Sequence, residues 1–401
     1  MAVGSGETGV LYPVPGITMA AVSAGIKKPG KLDCVVFSLG DNAHTAGVFT
    51  TNAFCAAPVV VCKKHITQAS PHYLVINTGN ANAGTGQAGI DAAMKVCLEI
   101  AEFKSLPVNT VLPFSTGVIG EQLPVEKILD VIPDALDNLD EDSWLECARG
   151  IMTTDTRPKA ASRQITLEGK TVTITGVAKG AGMIKPNMAT MLGYIFTDAA
   201  IEQQVLQYLV ELAADRSFNR ITVDSDTSTN DCCILSATGK SGVRVTDKTE
   251  EFVDALVEVF ESLAQGLVRD AEGATKFVTL QVEEGETQEE CLSLAYTVAE
   301  SPLVKTALFA SDPNWGRILA AVGRAGVENL DIDKVSIYLG DVCIVKNGAV
   351  SPDYTEAEGQ RVMDNDEISI RITLGRGGYA EKVWTSDLSH DYVTINAEYR
   401  T

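Results

Sequence analysis

Strand and helix patterns alternate along the chain, and that alternation predicts an α/β fold. Three observations carry the prediction: an amphipathic helix signal over 250–268, buried strand-length runs at 73–77 and 191–196, and a β-rich stretch from 335 to 396. In chain order, YLVIN (73–77) is a short apolar run ending in a Gly/Asn loop. Residues 88–103 then place Ile90, Ala93, Met94, Cys97, Ile100 and Ala101 at helical spacing, and 125–136 and 143–152 also read as helices. The β signal returns where TVTITGV (171–177) alternates and MLGYIF (191–196) forms a buried strand. A helix with Val205, Leu206, Leu209, Val210 and Leu212 inward leads to strands at 220–223 and 232–236. The helix over 250–268 gathers Phe252, Val253, Leu256, Val257, Phe260, Leu263 and Leu267 on one face. A strand at 277–282 and a helix carrying Leu292, Ala295 and Ala299 follow, stopped at Ser301-Pro302. The tail reads as strands: VSIYLG, a Gly340-Asp341 turn, VCIVK, EISIRITL, YAEKVWTS and DYVTIN. With no internal repeat and no low-complexity linker, the pattern predicts one interlocked body.

The 401 residues carry 53 acidic against 32 basic side chains, a net charge of −21. Such a field repels phosphate backbones and anionic lipid, so nucleic acid and membrane surfaces are poor partners. The charge is uneven, with 17 acidic and 15 basic residues in 1–189 against 36 and 17 in 190–401. Any anionic substrate therefore depends on a few local cations. Nine cysteines without a CxxC pair predict a reducing compartment, and four scattered histidines weigh against zinc chemistry and His-based triads. No apolar run approaches the roughly 18 residues of a membrane span, and MAVGSGETG lacks the regions of a signal peptide. A cytoplasmic protein is the expectation.

Three motifs invite a chemical reading. GTGQAG (84–89) matches the dinucleotide fingerprint, but TGNANA separates it from the strand ending at Asn77 and no ribose-binding acid follows the next strand, so a glycine-rich turn is the better account. MTTDTRPK (152–159) is either an ordinary turn before proline or a set of hydroxyls and charges suited to a zwitterionic amino acid. In AKGAGMIKPNMATML (178–192) a glycine turn and a proline-constrained loop deliver Ala189 and then Thr190 to the mouth of a buried strand. Thr190 is either a β-branched residue opening that strand or a nucleophile. In the second case its hydroxyl attacks the Ala189 carbonyl, and the freed α-amine, with a pKa near ~8, serves as its own base.

The stretch KGAGMIKPNMATML followed by TDA (197–199) resembles the self-cleavage signature of the ornithine acetyltransferase family, the arginine-pathway glutamate N-acetyltransferases. AGVFTTNAFCAAPV (46–59), NTGNANAGTG (77–86), PFSTGVIGE (113–121), MTTDT (152–156), FNRITVDSDTSTND (218–231), RDAEGATK (269–276), SDPNWGR (311–317) and DLSHDYVTINAEYRT (387–401) are similar too. The resemblance extends from near residue 11 to residue 401. Lys185 departs from it, since the position before Pro-Asn is often small or neutral in the family.

The resemblance implies an N-terminal-nucleophile type of fold, with sandwiched β-sheets covered by helices. It implies cleavage between Ala189 and Thr190 into an α chain (1–189) and a β chain (190–401) that stay interlocked and assemble as a heterotetramer or larger. Thr190 would be the nucleophile, and Thr116 and Gly117 the oxyanion hole. Lys179, Thr190, Glu272, Asn396 and Thr401, with Thr153 or its neighbour Thr154, would contact substrate. The implied reaction is a ping-pong transfer of acetyl from N2-acetyl-L-ornithine to L-glutamate. It needs no metal or redox cofactor, and acetyl-CoA stands open as a second donor. The rivals are an N-terminal-nucleophile amidase or aminopeptidase, a nucleotide-dependent oxidoreductase resting on GTGQAG, and a noncatalytic amino-acid-binding protein.

Overall fold

The computed structural model describes residues 2–26, 28–185 and 191–398, and every count below is of those residues. The chain packs as two units, one made of 7–219 and 226–267, the other of 1–6, 220–225 and 268–401. Two units therefore replace the single body expected from the lack of a linker. No linker is visible in sequence because the smaller unit is assembled from three separated segments.

In the larger unit, Cys34–Ser38 pairs antiparallel with Thr18–Val22 and with Tyr73–Asn80, and Tyr73–Asn80 pairs parallel with Val111–Val118 at the sheet edge. A five-stranded sheet runs in the order His44–Phe49, Cys232–Ala237, Leu192–Thr197, Lys170–Lys179, Lys159–Leu167. Period-2 alternation gives each sheet one face toward the other. Phe37, Leu74, Ile76, Leu112 and Phe114 of the first meet Val177, Leu192, Tyr194, Phe196 and Ile234 of the second. Phe37 lies 4.9 Å from Phe196 and 5.8 Å from Tyr194, centroid to centroid, with Trp144 at 6.5 Å.

Helices cover both outer faces. Ala93, Val96, Cys97 and Ile100 of the helix Gly86–Lys104 lie on Val36, Val75 and Val111. On the other side, Gln203 and Gln207 of the helix Gln203–Arg216 donate side-chain amides to Thr45 O and Gly47 O. Leu263 of the helix Glu250–Arg269 comes 3.1 Å from where a Cβ on Gly176 would stand, so the missing side chain lets helix and sheet close up. The sandwich of sheets between helices expected from the resemblance is present in this unit.

The smaller unit has a seven-stranded sheet ordered Ile221–Thr222, Tyr379–Ser386, Phe277–Gly285, Glu367–Thr373, Ser336–Leu339, Val342–Lys346, Ala349–Val350. Leu294, Ala295 and Val298 of the helix Gln288–Ala299 share a core with Val278, Leu280, Val282, Ile370, Ile372 and Val383.

Two sequence expectations are corrected. The helix expected over 125–136 is two, Val125–Leu129 and Ile132–Asp137, because Pro133 has no N–H for a continuous ladder and fits only a first turn. DYVTIN is not a strand but lies in the helix His390–Ala397, started by Ser389, whose side chain accepts the Tyr392 N–H at 3.3 Å. No residue of that helix is buried, so its β-branched run has no partner strand to favour.

Phe37 joins both sheets, so Phe37→Ala should cost about 3–5 kcal/mol. The midpoint of urea denaturation should fall accordingly, and an unchanged midpoint would contradict the packing described.

Candidate active site

Thr116 and Gly117 sit near the end of the edge strand Val111–Val118. There the ladder carries a bulge, with Asn80 opposite both Thr116 and Val118. Bulges re-aim the residues beside them. Gly117 has φ +133°, and a Cβ on it would stand 2.3 Å from the Gly79 carbonyl carbon, so this turn of chain accepts only glycine. Thr116 is buried, and its Oγ1 accepts a hydrogen bond from Lys179 Nζ at 3.2 Å. A hydroxyl that accepts from an ammonium directs its own proton elsewhere, as a donor.

Lys179 ends the strand Lys170–Lys179 and belongs to a buried charge cluster. Asp155 Oδ1 accepts from Lys159 Nζ and, at 2.7 Å, from the Gly180 N–H, while Oδ2 accepts from the Thr153 N–H at 2.9 Å. Burial alone would push the Asp155 carboxyl up. The Lys159 and Lys179 charges and these hydrogen bonds outweigh it and hold the group well below the usual carboxylate range. The turn with half-buried Thr153 and Thr154 is thereby fixed against the glycine loop after Lys179.

Ala189 and Thr190, the expected cleavage pair, lie outside the described residues, as does Thr401. The chain on either side of 186–190 is described. Ile184 bridges Thr227, whose Oγ1 donates to Lys185 O at 3.2 Å, and Met191 O accepts from the Cys232 N–H at 3.0 Å. One short segment, 226–232, thus holds both flanks. Two of its residues were not singled out from sequence. Asn230 donates its amide to Ala81 O and Ser115 O at 2.6 and 2.8 Å. Asp231 is 3% exposed, and its Oδ2 has no hydrogen-bond partner among the described residues. Burial pushes the Asp231 carboxyl well above its ordinary range, more than the Ser228 side chain and the Lys179 charge draw it down. The sequence signal for both is the polar run DSDTSTND ending directly at a buried strand.

Glu272 and Asn396 belong to the smaller unit and meet there, with Asn396 Nδ2 donating to Glu272 Oε2 at 2.7 Å. Gly273, at φ +69°, makes this possible, since a Cβ would stand 2.6 Å from the backbone nitrogen of Tyr392. Asp387 secures the loop beyond it by accepting from the Thr275 and Lys276 N–H groups at 2.8 and 2.9 Å.

GTGQAG runs from a tight turn at Gly84-Thr85 into the first turn of the helix Gly86–Lys104, where Thr85 Oγ1 donates to Asn82 Oδ1 at 2.8 Å and Asn82 Nδ2 to Gly89 O at 2.9 Å. All nine cysteines are unpaired thiols. Among the described residues no group of His, Cys, Asp and Glu could hold a metal ion, and no helix is long and apolar enough to cross a membrane.

The ArgJ family model matches residues 18–401. The chain belongs to the ArgJ family. It is 57% identical over 406 residues to the arginine biosynthesis bifunctional protein ArgJ of Pseudomonas fluorescens (strain Pf0-1), covering 100% of both chains. The protein of the same name from Psychrobacter arcticus is 54% identical over 396 residues, 98% of this chain and 97% of that one. Among solved structures, the arginine biosynthesis bifunctional protein ArgJ of Bacillus halodurans is 35% identical with a TM-score of 0.50, covering 52% of this chain and 100% of that chain. Family membership agrees with the resemblance read in the motifs around Thr116, Thr153, Lys179, Thr190, Glu272 and Asn396.

Asp231 gives this ArgJ-family site a pH signature. Its folded pKa is raised, so relative to an always-neutral side chain its contribution is full below the unfolded value of about 3.9 and is lost as pH rises toward the raised value. Asp231→Asn should therefore match the wild type in Tm near pH 4 and exceed it increasingly toward pH 7. A Tm difference that does not change with pH would contradict the burial assigned to this carboxyl.

Proposed function

We propose that the chain transfers an acetyl group from N2-acetyl-L-ornithine to L-glutamate through an acetyl ester on Thr190, after cutting itself between Ala189 and Thr190. Membership of the ArgJ family supports the pathway. The observation that carries the chemistry is the Lys179–Thr116 hydrogen bond, which ties the strand leading toward residue 190 to the hydroxyl expected to donate to an oxyanion.

In the cut, Thr190 Oγ adds to the Ala189 carbonyl, the chain shifts from nitrogen to oxygen, and water hydrolyses the ester. This frees the Thr190 α-amine. In the transfer, that amine takes the Thr190 hydroxyl proton as Oγ adds to the acetyl carbonyl. The oxyanion is met by the Thr116 hydroxyl and Gly117 N–H, and a lost donor of this kind typically costs ~3–4 kcal/mol of transition-state stabilisation. The C–N bond then breaks, and ornithine leaves with the proton. Glutamate's amine attacks the ester, and the same steps run in reverse to restore the hydroxyl.

Oxidation states never change, so the chemistry calls for no redox cofactor. Lys179, buried beside Lys159 and Asp155, suits an anionic group of the substrate. Glu272, steadied by Asn396, suits the side-chain ammonium of ornithine; Thr153 or Thr154, and Thr401, complete the contacts. Acetyl-CoA is a second donor in this reading, in keeping with the word bifunctional in the relatives' names.

The two pieces, 1–189 and 190–401, stay together because strands beyond the cut pair with strands before it. Leu192–Thr197 pairs with Lys170–Lys179, and Cys232–Ala237 with His44–Phe49. A solved relative's chain that matches 52% of this one over its whole length is the size of one piece. The pieces assemble as a heterotetramer or larger in the cytoplasm.

Thr190→Ala tests the reading. It should give one uncut chain of full mass without transferase activity, whereas the wild type gives two pieces and forms acetylglutamate only when glutamate is supplied. A Thr190→Ala protein that still cuts, or a wild type that releases acetate to water equally well with and without glutamate, would overturn it. The second outcome would make the protein an amidase.

A further inference from the structure

The polar run before Cys232 is the motif that the proposed reaction leaves without a task, and it touches both halves of the reacting geometry. Val111–Val118 is an edge strand, so carbonyls on its outer side have no ladder partner. Ser115 O accepts from Asn230 Nδ2, and the same nitrogen also binds Ala81 O just past the end of the neighbouring strand. The orientation of this amide is not arbitrary. Its Oδ1 accepts from Thr229 Oγ1 at 2.6 Å, which leaves the two N–H bonds for the two carbonyls. Asn230 is 5% exposed and its hydrogen-bonding capacity is well used.

The Ser115–Thr116 peptide is planar, so fixing the Ser115 oxygen fixes the direction of the Thr116 N–H and the start of the turn through Gly117. On its other side, the segment holding Asn230 binds Lys185 O through Thr227 and Met191 O through the Cys232 N–H. Ser115 itself is steadied from within the sheet, since its hydroxyl donates to Asn77 Oδ1 at 2.6 Å, while the Asn77 amide donates to Asn80 O at 2.9 Å, beside the bulge.

We infer that Asn230 is a positioning residue of acyl transfer, whose side-chain amide sets the Thr116–Gly117 donors in register with the flanks of residue 190. This rests on the oxyanion role proposed for Thr116 and Gly117. Asn230 touches no reacting atom. It acts through the Ser115 carbonyl, and a donor misplaced by about 1 Å costs on the order of 100-fold in rate.

Asn230→Asp keeps the shape but turns both donors into an acceptor facing two carbonyl oxygens. The measurements are the rate at which the 401-residue chain becomes two pieces, kcat and KM for acetylornithine on cut protein, and the same quantities for Thr116→Val and for the double variant. Asn230→Asp should slow both cutting and kcat by roughly 10- to 100-fold with KM within twofold. Its effect should be less than additive with that of Thr116→Val, because both act on one donor. Thr229→Val, which only frees the amide to rotate, should give a smaller loss of the same kind, and it decides the matter if Asn230→Asp does not fold. A slow Thr116→Val beside Asn230→Asp and Thr229→Val proteins with wild-type cutting and kcat would overturn the inference alone. Wild-type rates in all of them would overturn the oxyanion assignment with it. A raised KM at unchanged kcat, or fully additive losses, would also reject the positioning role.

Discussion

Asp155 is the constraint on which the larger unit's candidate site depends. A carboxylate with so little exposure is stable only if its charge is met, and here two ammonium groups and two backbone N–H groups meet it. Those partners come from different places in the chain: the threonine turn itself, the strand Lys159–Leu167, and the glycine loop after Lys179. Each is held where it is because the carboxylate needs it. Lys179, held within reach of Asp155, also reaches Thr116, so the same charge that fixes the loops indirectly fixes a neighbouring hydroxyl.

Asp155 and Asp231, both buried in this unit, are driven in opposite directions. Asp155 is ionised beside Lys159, whereas Asp231 has one oxygen without a partner and is pushed toward its neutral form, although Lys179 acts on both. Environments that separate the pKa values of two like groups mark sites where charge is being placed deliberately. Lys159 and Lys179 thus stand together beside the Asp155 carboxylate, a local concentration of basic side chains inside a chain whose net charge is −21.

Legibility in the sequence followed the range of the interactions. The helix Glu250–Arg269 could be read because its apolar face repeats locally, and the strand Leu192–Thr197 because it is apolar throughout. The helix His390–Ala397 could not, since nothing in it is buried and Val393, Thr394 and Ile395 carry a β signal that only the Ser389 cap contradicts. The split at Pro133 was legible in principle from the proline alone. Asn230 was not, because its partners Ser115 and Ala81 lie 115 and 149 residues away. Nor was the division into two units, which depends on segments 1–6 and 220–225 joining a much later part of the chain.

If one hydroxyl receives the acetyl group before glutamate does, the mass of the cut protein mixed with acetylornithine alone will show it. The 190–401 piece should gain one acetyl mass, on a peptide beginning at Thr190, and lose it when glutamate is added. An unmodified 190–401 piece, with acetylglutamate still forming once both substrates are present, would contradict it and require direct transfer between two bound amino acids.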